Sequence, residues 1–264
     1  MSVHNFGTAL ITGASSGIGA AFARQLAVKG KNLILVARRK ERLVNLANHL
    51  RQHYGITTEI LVADLSHLTD IEQVESRIGA IENLDMLINN AGFGTVGRFA
   101  EINLSRQIDM INVHVIASVR LCRAALPGMI ARHNGAIINV SSIGAFIPGP
   151  GNVTYCATKA HLVTFSEALQ AELAGNGVKV QALCPGFTYT EFHDSSEYEN
   201  FDRSQIPKML WMSAEEVVAS SLKALGRSQV TYIPGFKNRL LVAVARNSIT
   251  SPLLLALLRK RLQK

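Results

Sequence analysis

Seven short runs of apolar residues recur along this chain: TALIT (8–12), NLILVA (32–37), EILVAD (59–64), DMLINN (85–90), GAIINVSS (135–142), VKVQALCP (178–185) and QVTYIP (229–234). Segments of helical period separate them, over about 18–29, 40–53, 68–82 and 104–132, then a helix holding YCATK and another opening at Ser213-Ala-Glu-Glu216. A strand that is apolar along its whole length has no solvent face, so it belongs in a parallel sheet covered by helices on both sides. Right-handed crossovers then give an α/β architecture, a doubly wound, Rossmann-type parallel sheet of about seven strands. The runs reach through nearly all of the 264 residues, so a single domain is expected. The expected division is a catalytic body over 1–235 and a basic, leucine-rich helical tail over 236–264.

In such sheets ligands bind at the carboxyl ends of the strands. The polar and glycine-bearing residues of this chain cluster there: Thr12-Gly13, Arg38-Arg39, Asp64, Asn89-Asn90-Ala91-Gly92, Ser141-Ser142 and Pro185-Gly186. TGASSGIG (12–19) joins the first strand to the first helix. Its glycines allow a tight turn, and the helix N-terminus beyond offers free N–H groups to a pyrophosphate. This assigns Gly13, Ser15, Ser16, Gly17, Ile18 and Gly19 to a dinucleotide. After the second strand an NAD reader places an acidic residue, whereas arginine there accommodates a 2′-phosphate. Here Ala37 is followed by Arg38, Arg39 and Lys40. The expected cofactor is therefore NADP(H); the bland alternative, a solvated helix start, is weakened because cations oppose the dipole at a helix N-terminus.

In YCATK (155–159), Tyr155 and Lys159 lie four apart, which on a helix puts both on one face with Cβ atoms about 5–6 Å apart. The spacing alone is weak. The ordered set TGASSGIG, Asp64, NNAG (89–92), Asn112, Ser142, YCATK and PGFTYT (185–190) is specific, and it resembles the short-chain dehydrogenase/reductase family over roughly residues 5–235. The resemblance implies hydride transfer between NADP(H) and a carbonyl or secondary alcohol, in a homodimer or homotetramer. It makes Tyr155 the general acid/base, Lys159 the holder of the nicotinamide ribose, Ser142 the residue that orients the substrate oxygen, and Asn112 the holder of a relay water. Asp64 and the adjoining Leu65 would face the adenine. Asn90, Ala91 and Gly92 would face the adenosine side, and Pro185, Gly186, Thr188 and Thr190 the nicotinamide. Thr188 departs from a position that is usually aliphatic. A cation about 4 Å from the phenol, at an effective dielectric of ~20, contributes about 4 kcal/mol, roughly three pKa units, so Tyr155 is expected to titrate near neutrality.

Residues 187–212 carry six of the sixteen aromatics, including Phe187, Tyr189, Phe192, Tyr198, Phe201 and Trp211, with Met209 and Met212. This suits an apolar lid over a substrate pocket, or else a loop packed on the body. Phe93, Phe146 and Phe187 are the expected substrate-lining residues, with Ile147 beside Phe146, and an apolar or acyl substrate is expected.

Charge is divided sharply. Residues 1–216 carry eighteen basic and nineteen acidic groups, and the remainder carries nine basic and no acidic ones. The body has no basic surplus for nucleic acid, whereas the tail fits either an anionic membrane surface or a partner subunit. Its apolar runs, 240–245 and 253–258, are too short to span a bilayer. Three cysteines without CxxC spacing and scattered histidines predict no metal site, and the N-terminal residues carry no secretory pattern, so a cytoplasmic protein, with the tail as a candidate membrane contact, is expected. A dinucleotide-sensing protein without turnover is the rival reading. An epimerase or dehydratase of the extended branch fits less well, given the GxxxGxG spacing.

Overall fold

The computed structural model describes residues 7–194, 196–198, 202–227 and 229–247. It contains a seven-stranded parallel sheet built from β1 (Thr8–Thr12), β2 (Asn32–Ala37), β3 (Thr58–Val62), β4 (Leu84–Asn89), β5 (Gly135–Val140), β6 (Val178–Leu183) and a short edge strand, Thr231–Tyr232. The spatial order is β3-β2-β1-β4-β5-β6 and then the edge strand, so the chain winds outward in both directions from β1 and β4. A two-residue pair, β7 (Thr188–Tyr189) and β8 (Met212–Ser213), lies outside this sheet, and the edge strand is β9.

Each crossover places a helix on one face or the other. On the first face, α1 (Gly17–Val28), α2 (Lys40–Tyr54) and α7 (Ala214–Gly226) bury Phe22, Leu26, Leu43, Leu50 and Val217 against Ile11, Leu35 and Ile88. On the second, α3 (Leu68–Gly79), α5 (Ala117–Ala131) and the end of α6 (Val153–Glu172) bury Ile71, Val74, Leu121, Met129 and Leu169 against Leu10, Leu87 and Ile137. Phe22 has no exposed surface, and its loss to alanine would cost about 3–5 kcal/mol. Gly30 stands just past α1 with φ +75, as a C-terminal glycine should. Ser213 and Glu216 make a full capping box at the start of α7.

The helix expected over 104–132 contains one irregularity. It runs as α4 (Leu104–Ile111), a π-turn (Asn112–Ile116) and α5, and the Ala117 N–H reaches back to the Asn112 carbonyl. A π-turn carries one residue more than an α-turn and concentrates at functional sites. By length and composition this 28-residue helix could cross a membrane, but it packs on α3 and the sheet as a core helix.

A buried polar chain fixes α6 on the sheet. Asn89 Nδ2 donates to Asn139 Oδ1 at 2.9 Å, and Asn139 Nδ2 donates to Ser166 Oγ at 2.9 Å. Of the tail, α8 (Phe236–Arg246) packs on the turn Lys208–Leu210 and buries Asn238, Val242 and Ala245. The second apolar run, 253–258, and the RKR beyond it lie outside the described residues, as does Phe201.

Candidate active site

Two of the glycines between β1 and α1 are required by conformation. Gly13 and Gly17 sit at φ +64 and +53, the left-handed region that other residues avoid. Gly19 is required by space, because a Cβ there would stand 2.3 Å from the Gly13 carbonyl oxygen. Gly17 also packs against Thr190, which a Cβ would meet at 3.0 Å. Asn90 holds this turn in place: its Nδ2 donates to the carbonyls of Thr12 (2.9 Å) and Gly13 (3.2 Å). In return Thr12 Oγ1 accepts the N–H groups of Asn90 and Ala91. Ser16 precedes α1 without making a side-chain cap, so the helix's first amides remain for an anion. These features fit a dinucleotide pyrophosphate; Ile18 packs toward the core, and Leu65 is buried in it.

Beside the glycine turn the cations of the β2 end are already partnered. Arg38 Nη1 lies 3.4 Å from Asp64 Oδ2. Burial opposes ionisation of Asp64, but hydrogen bonds from the Ser66 N–H and hydroxyl, together with Arg38, hold its carboxyl below the usual value. Arg39 donates to Ser15 Oγ (2.9 and 3.1 Å), to Ser16 Oγ (2.6 Å) and to Glu191 (2.8 Å). Arg42 joins it on both Glu191 oxygens, at 2.5 and 2.6 Å. Sequence reading named neither Arg42 nor Glu191. Arg42, in the first turn of α2, follows the Arg38-Arg39-Lys40 run with only Glu41 between, a visible signal, whereas Glu191 is about 150 residues away and carries none.

The second centre forms where β5 meets α6. Ser142 begins the turn Ile143–Ala145; its Oγ accepts the Gly144 N–H at 3.0 Å, and the Tyr155 ring and Ser142 Oγ lie 3.3 and 3.4 Å from where a Cβ on Gly144 would stand. Lys159, one turn along α6, donates from Nζ to the Val140 carbonyl at 2.9 Å and stands 5.7 Å from the Tyr155 ring centroid. Asn112, at the start of the π-turn, donates from Nδ2 to the Ser66 carbonyl at 3.0 Å. The electrostatics differ from the simple spacing argument. Burial pushes the Tyr155 phenol up to about 12 against the opposing Ser142 hydrogen bond, and burial pulls the Lys159 ammonium down to about 7. The same desolvation that strengthens a charge–charge interaction removes much of the charge, so the phenol does not titrate near neutrality.

His114 was also missed. It is 1 % exposed, and burial, then Lys159, holds it well below 6.5, so the ring is neutral. Thr158 Oγ1 donates to the Tyr155 carbonyl at 2.9 Å, which leaves it to accept from His114 Nδ1–H at 2.9 Å. Nε2 then accepts the Phe93 N–H at 3.2 Å. The ring so ties the β4 loop to the turn of α6 that carries Tyr155. Its only sequence signal is a histidine flanked by two valines in NVHVI.

The aromatic segment covers this centre. Phe192 lies 5.9 Å from the Tyr155 ring and 5.3 Å from Tyr198, whose hydroxyl presses on Gly94. Phe187 and Tyr189 pack on Trp211 at 5.4 and 4.8 Å. Arg106 stacks on Phe93 at 4.3 Å and pairs with Glu197 of the cover. Phe146 stands apart: it packs with Val163, Ala182 and Cys184 and under Arg246, and the aromatic ring near Tyr155 is that of Phe192. Thr188 Oγ1 donates to the Gly186 carbonyl, and Gly186, next to Pro185, rests against Asn238 of α8.

The family profile described as short chain dehydrogenase matches residues 7–200. A 3-oxoacyl-[acyl-carrier-protein] reductase of Rickettsia bellii is 35 % identical over 231 residues, covering 86 % of this chain and 92 % of that protein. The inactive hydroxysteroid dehydrogenase-like protein 1 of Homo sapiens is 34 % identical over 192 residues; the match covers 72 % of this chain and 58 % of that longer protein. Among solved structures, a short-chain dehydrogenase from Sphingobium yanoikuyae in complex with NADPH is 37 % identical, with a TM-score of 0.81 and coverage of 87 % and 88 %. A profile match across most of the chain, with the ordered motifs on one parallel sheet, places this protein in the short-chain dehydrogenase/reductase family of oxidoreductases.

Proposed function

We propose that this protein is an NADPH-dependent carbonyl reductase acting on an apolar or acyl substrate. The observation that carries the reading is that Ser142 Oγ and the Tyr155 ring flank Gly144 together, with Lys159 one turn along α6 and Phe192 5.9 Å from the Tyr155 ring. Arg38, Arg39 and Arg42 with Ser15 and Ser16 would hold the 2′-phosphate, and the first amides of α1 the pyrophosphate. When bound, NADPH supplies the hydride. Tyr155 supplies the proton to the carbonyl oxygen, and Ser142 orients that oxygen by a second hydrogen bond.

The raised phenol favours one direction. At neutral pH a group held near 12 is fully protonated, ready to donate to a forming alkoxide, which is a stronger base than a phenolate. The reverse reaction would require a phenolate that burial disfavours. Phe192, Tyr198 and Phe93 give the cover an apolar inner side, which supports an acyl or ring substrate over a sugar.

The test is NADPH consumption against a panel of 3-oxoacyl thioesters, steroids, quinones and aldehydes. Turnover with at least one apolar carbonyl is expected, faster in reduction than in oxidation at pH 7. NADPH binding without turnover on any of them would favour the rival, a dinucleotide-sensing protein, which the inactive human relative makes a concrete alternative.

A further inference from the structure

The two arginines that border the glycine turn are held by a carboxylate from the opposite side of the cleft. Arg39 spends Nε and Nη2 on Ser15 and Ser16, and Nη1 on Glu191. Arg42 gives Nη1 to both Glu191 oxygens. Hydrogen bonds from Arg39 and then Arg42 hold the Glu191 carboxyl below its usual value, so it stays an anion throughout the neutral range. Two clefts, of about 360 and 500 Å³, meet at this side chain, and neither reaches Tyr155.

We propose that Glu191 is an internal competitor for the 2′-phosphate of NADPH, and that its displacement from Arg39 and Arg42 is the step that loosens the aromatic cover from Tyr155. The proposal rests on the NADPH reading above. A phosphate monoester carries roughly −1.5 to −2 charges at neutral pH and has three acceptor oxygens, so it wins against one carboxylate for the same guanidinium edge. Glu191 begins a short helical turn, Glu191–Asp194, that Arg203 braces through the Thr190 carbonyl and Asp194. The next residue is Phe192, on the Tyr155 ring. Movement of the carboxylate therefore moves the ring. A cofactor lacking the 2′-phosphate leaves the clasp closed, and Glu191 acts as a specificity-determining residue without touching the reacting atoms.

The test uses the full chain and two probes, adenosine 2′,5′-bisphosphate and 5′-AMP, with emission from Trp211, the sole tryptophan, as the readout. Trp211 packs on Tyr189, two residues from Glu191. In the wild type the bisphosphate should change Trp211 emission and 5′-AMP should not. Glu191→Gln should bind the bisphosphate about 3- to 10-fold tighter, as loss of an exposed ion-pair competitor allows, with 5′-AMP affinity unchanged. Its emission before ligand should already match the loaded wild type. Asp194→Asn, which removes a neighbouring charge that pairs with Arg203 instead, should leave bisphosphate affinity within about twofold. Unchanged bisphosphate affinity in Glu191→Gln, equal tightening in Asp194→Asn, or an equal Trp211 response to both probes would overturn the role of Glu191. A wild type that binds 5′-AMP as tightly as the bisphosphate would instead overturn the NADPH reading on which it stands.

Discussion

The β2 end and the β5–α6 junction both place cations beside candidate ligand positions, but under opposite conditions. Arg38, Arg39 and Arg42 keep 44–64 % of their side-chain surface in water and each meets a carboxylate. Lys159 is 4 % exposed, and its amine donates to the Val140 carbonyl rather than to a carboxylate. In the first region charge is permanent and individual contacts are weak, so recognition depends on summing several. In the second, one ammonium is so poorly solvated that its charge becomes conditional, and a single proton decides the electrostatics. The open region suits selection of a polyanion. The closed one suits proton transfer.

Four experiments sharpen or break this contrast. The largest effect is expected from Tyr155→Phe, which should lower turnover by roughly 10²–10⁴-fold and leave NADPH affinity nearly intact; near-normal turnover would remove the proton-transfer role from the buried centre. Next is the pH dependence of stability. Below about pH 7 Lys159 is charged in both folded and unfolded chains, and the burial cost is fully present. Between about 7 and its ordinary 10.5 the folded chain has released the proton while the unfolded one still binds it, so stability rises with pH. Comparing denaturant unfolding of wild type and Lys159→Met from pH 6 to 10 should show the difference moving in favour of the wild type by on the order of 2–4 kcal/mol. A pH-independent difference would mean that the amine is ordinarily solvated.

Arg38→Ala should weaken NADPH by about 10- to 150-fold and leave NADH almost unchanged, read as kcat/KM for both cofactors. Equal loss for both would reduce the arginine cluster to a solvated helix start. The smallest effect is that of salt. Raising it from about 0.05 to 0.5 M should weaken NADPH binding several-fold by screening the exposed arginines, while the pH profile set by Tyr155 shifts little. Equal salt sensitivity of both properties would erase the distinction between the two regions.

What the sequence conveys follows the same line. The strands of the sheet and their crossover helices were legible because apolar periodicity is local, and most boundaries fall within a few residues. The edge strand β9 is shorter than QVTYIP suggested, having only β6 to pair with. The π-turn left no mark in the period, since NVHVI reads as ordinary apolar helix. The resemblance picked out Tyr155, Lys159 and Ser142 as one constellation, and they do lie together at the β5–α6 junction, but the height of the phenol's pKa was not legible, because Phe192 comes over the ring from a distant segment. The clasp on Glu191 was invisible for the same reason: nothing near residue 191 announces the arginines that face it.

The π-turn at Asn112 also changes the phase of the helix it interrupts. Each α-helical residue advances about 100°, so one inserted residue lets α4 and α5 present their apolar stripes to different neighbours without a break in the rod. Shortening NVHVI by one residue would restore a uniform helix and force a choice. Either α5 keeps its seat on the sheet and Asn112 swings away from the Ser66 carbonyl, or Asn112 stays and the stripe carrying Leu121 and Met129 rotates off the core. The extra residue decouples where the asparagine points from where the helix packs.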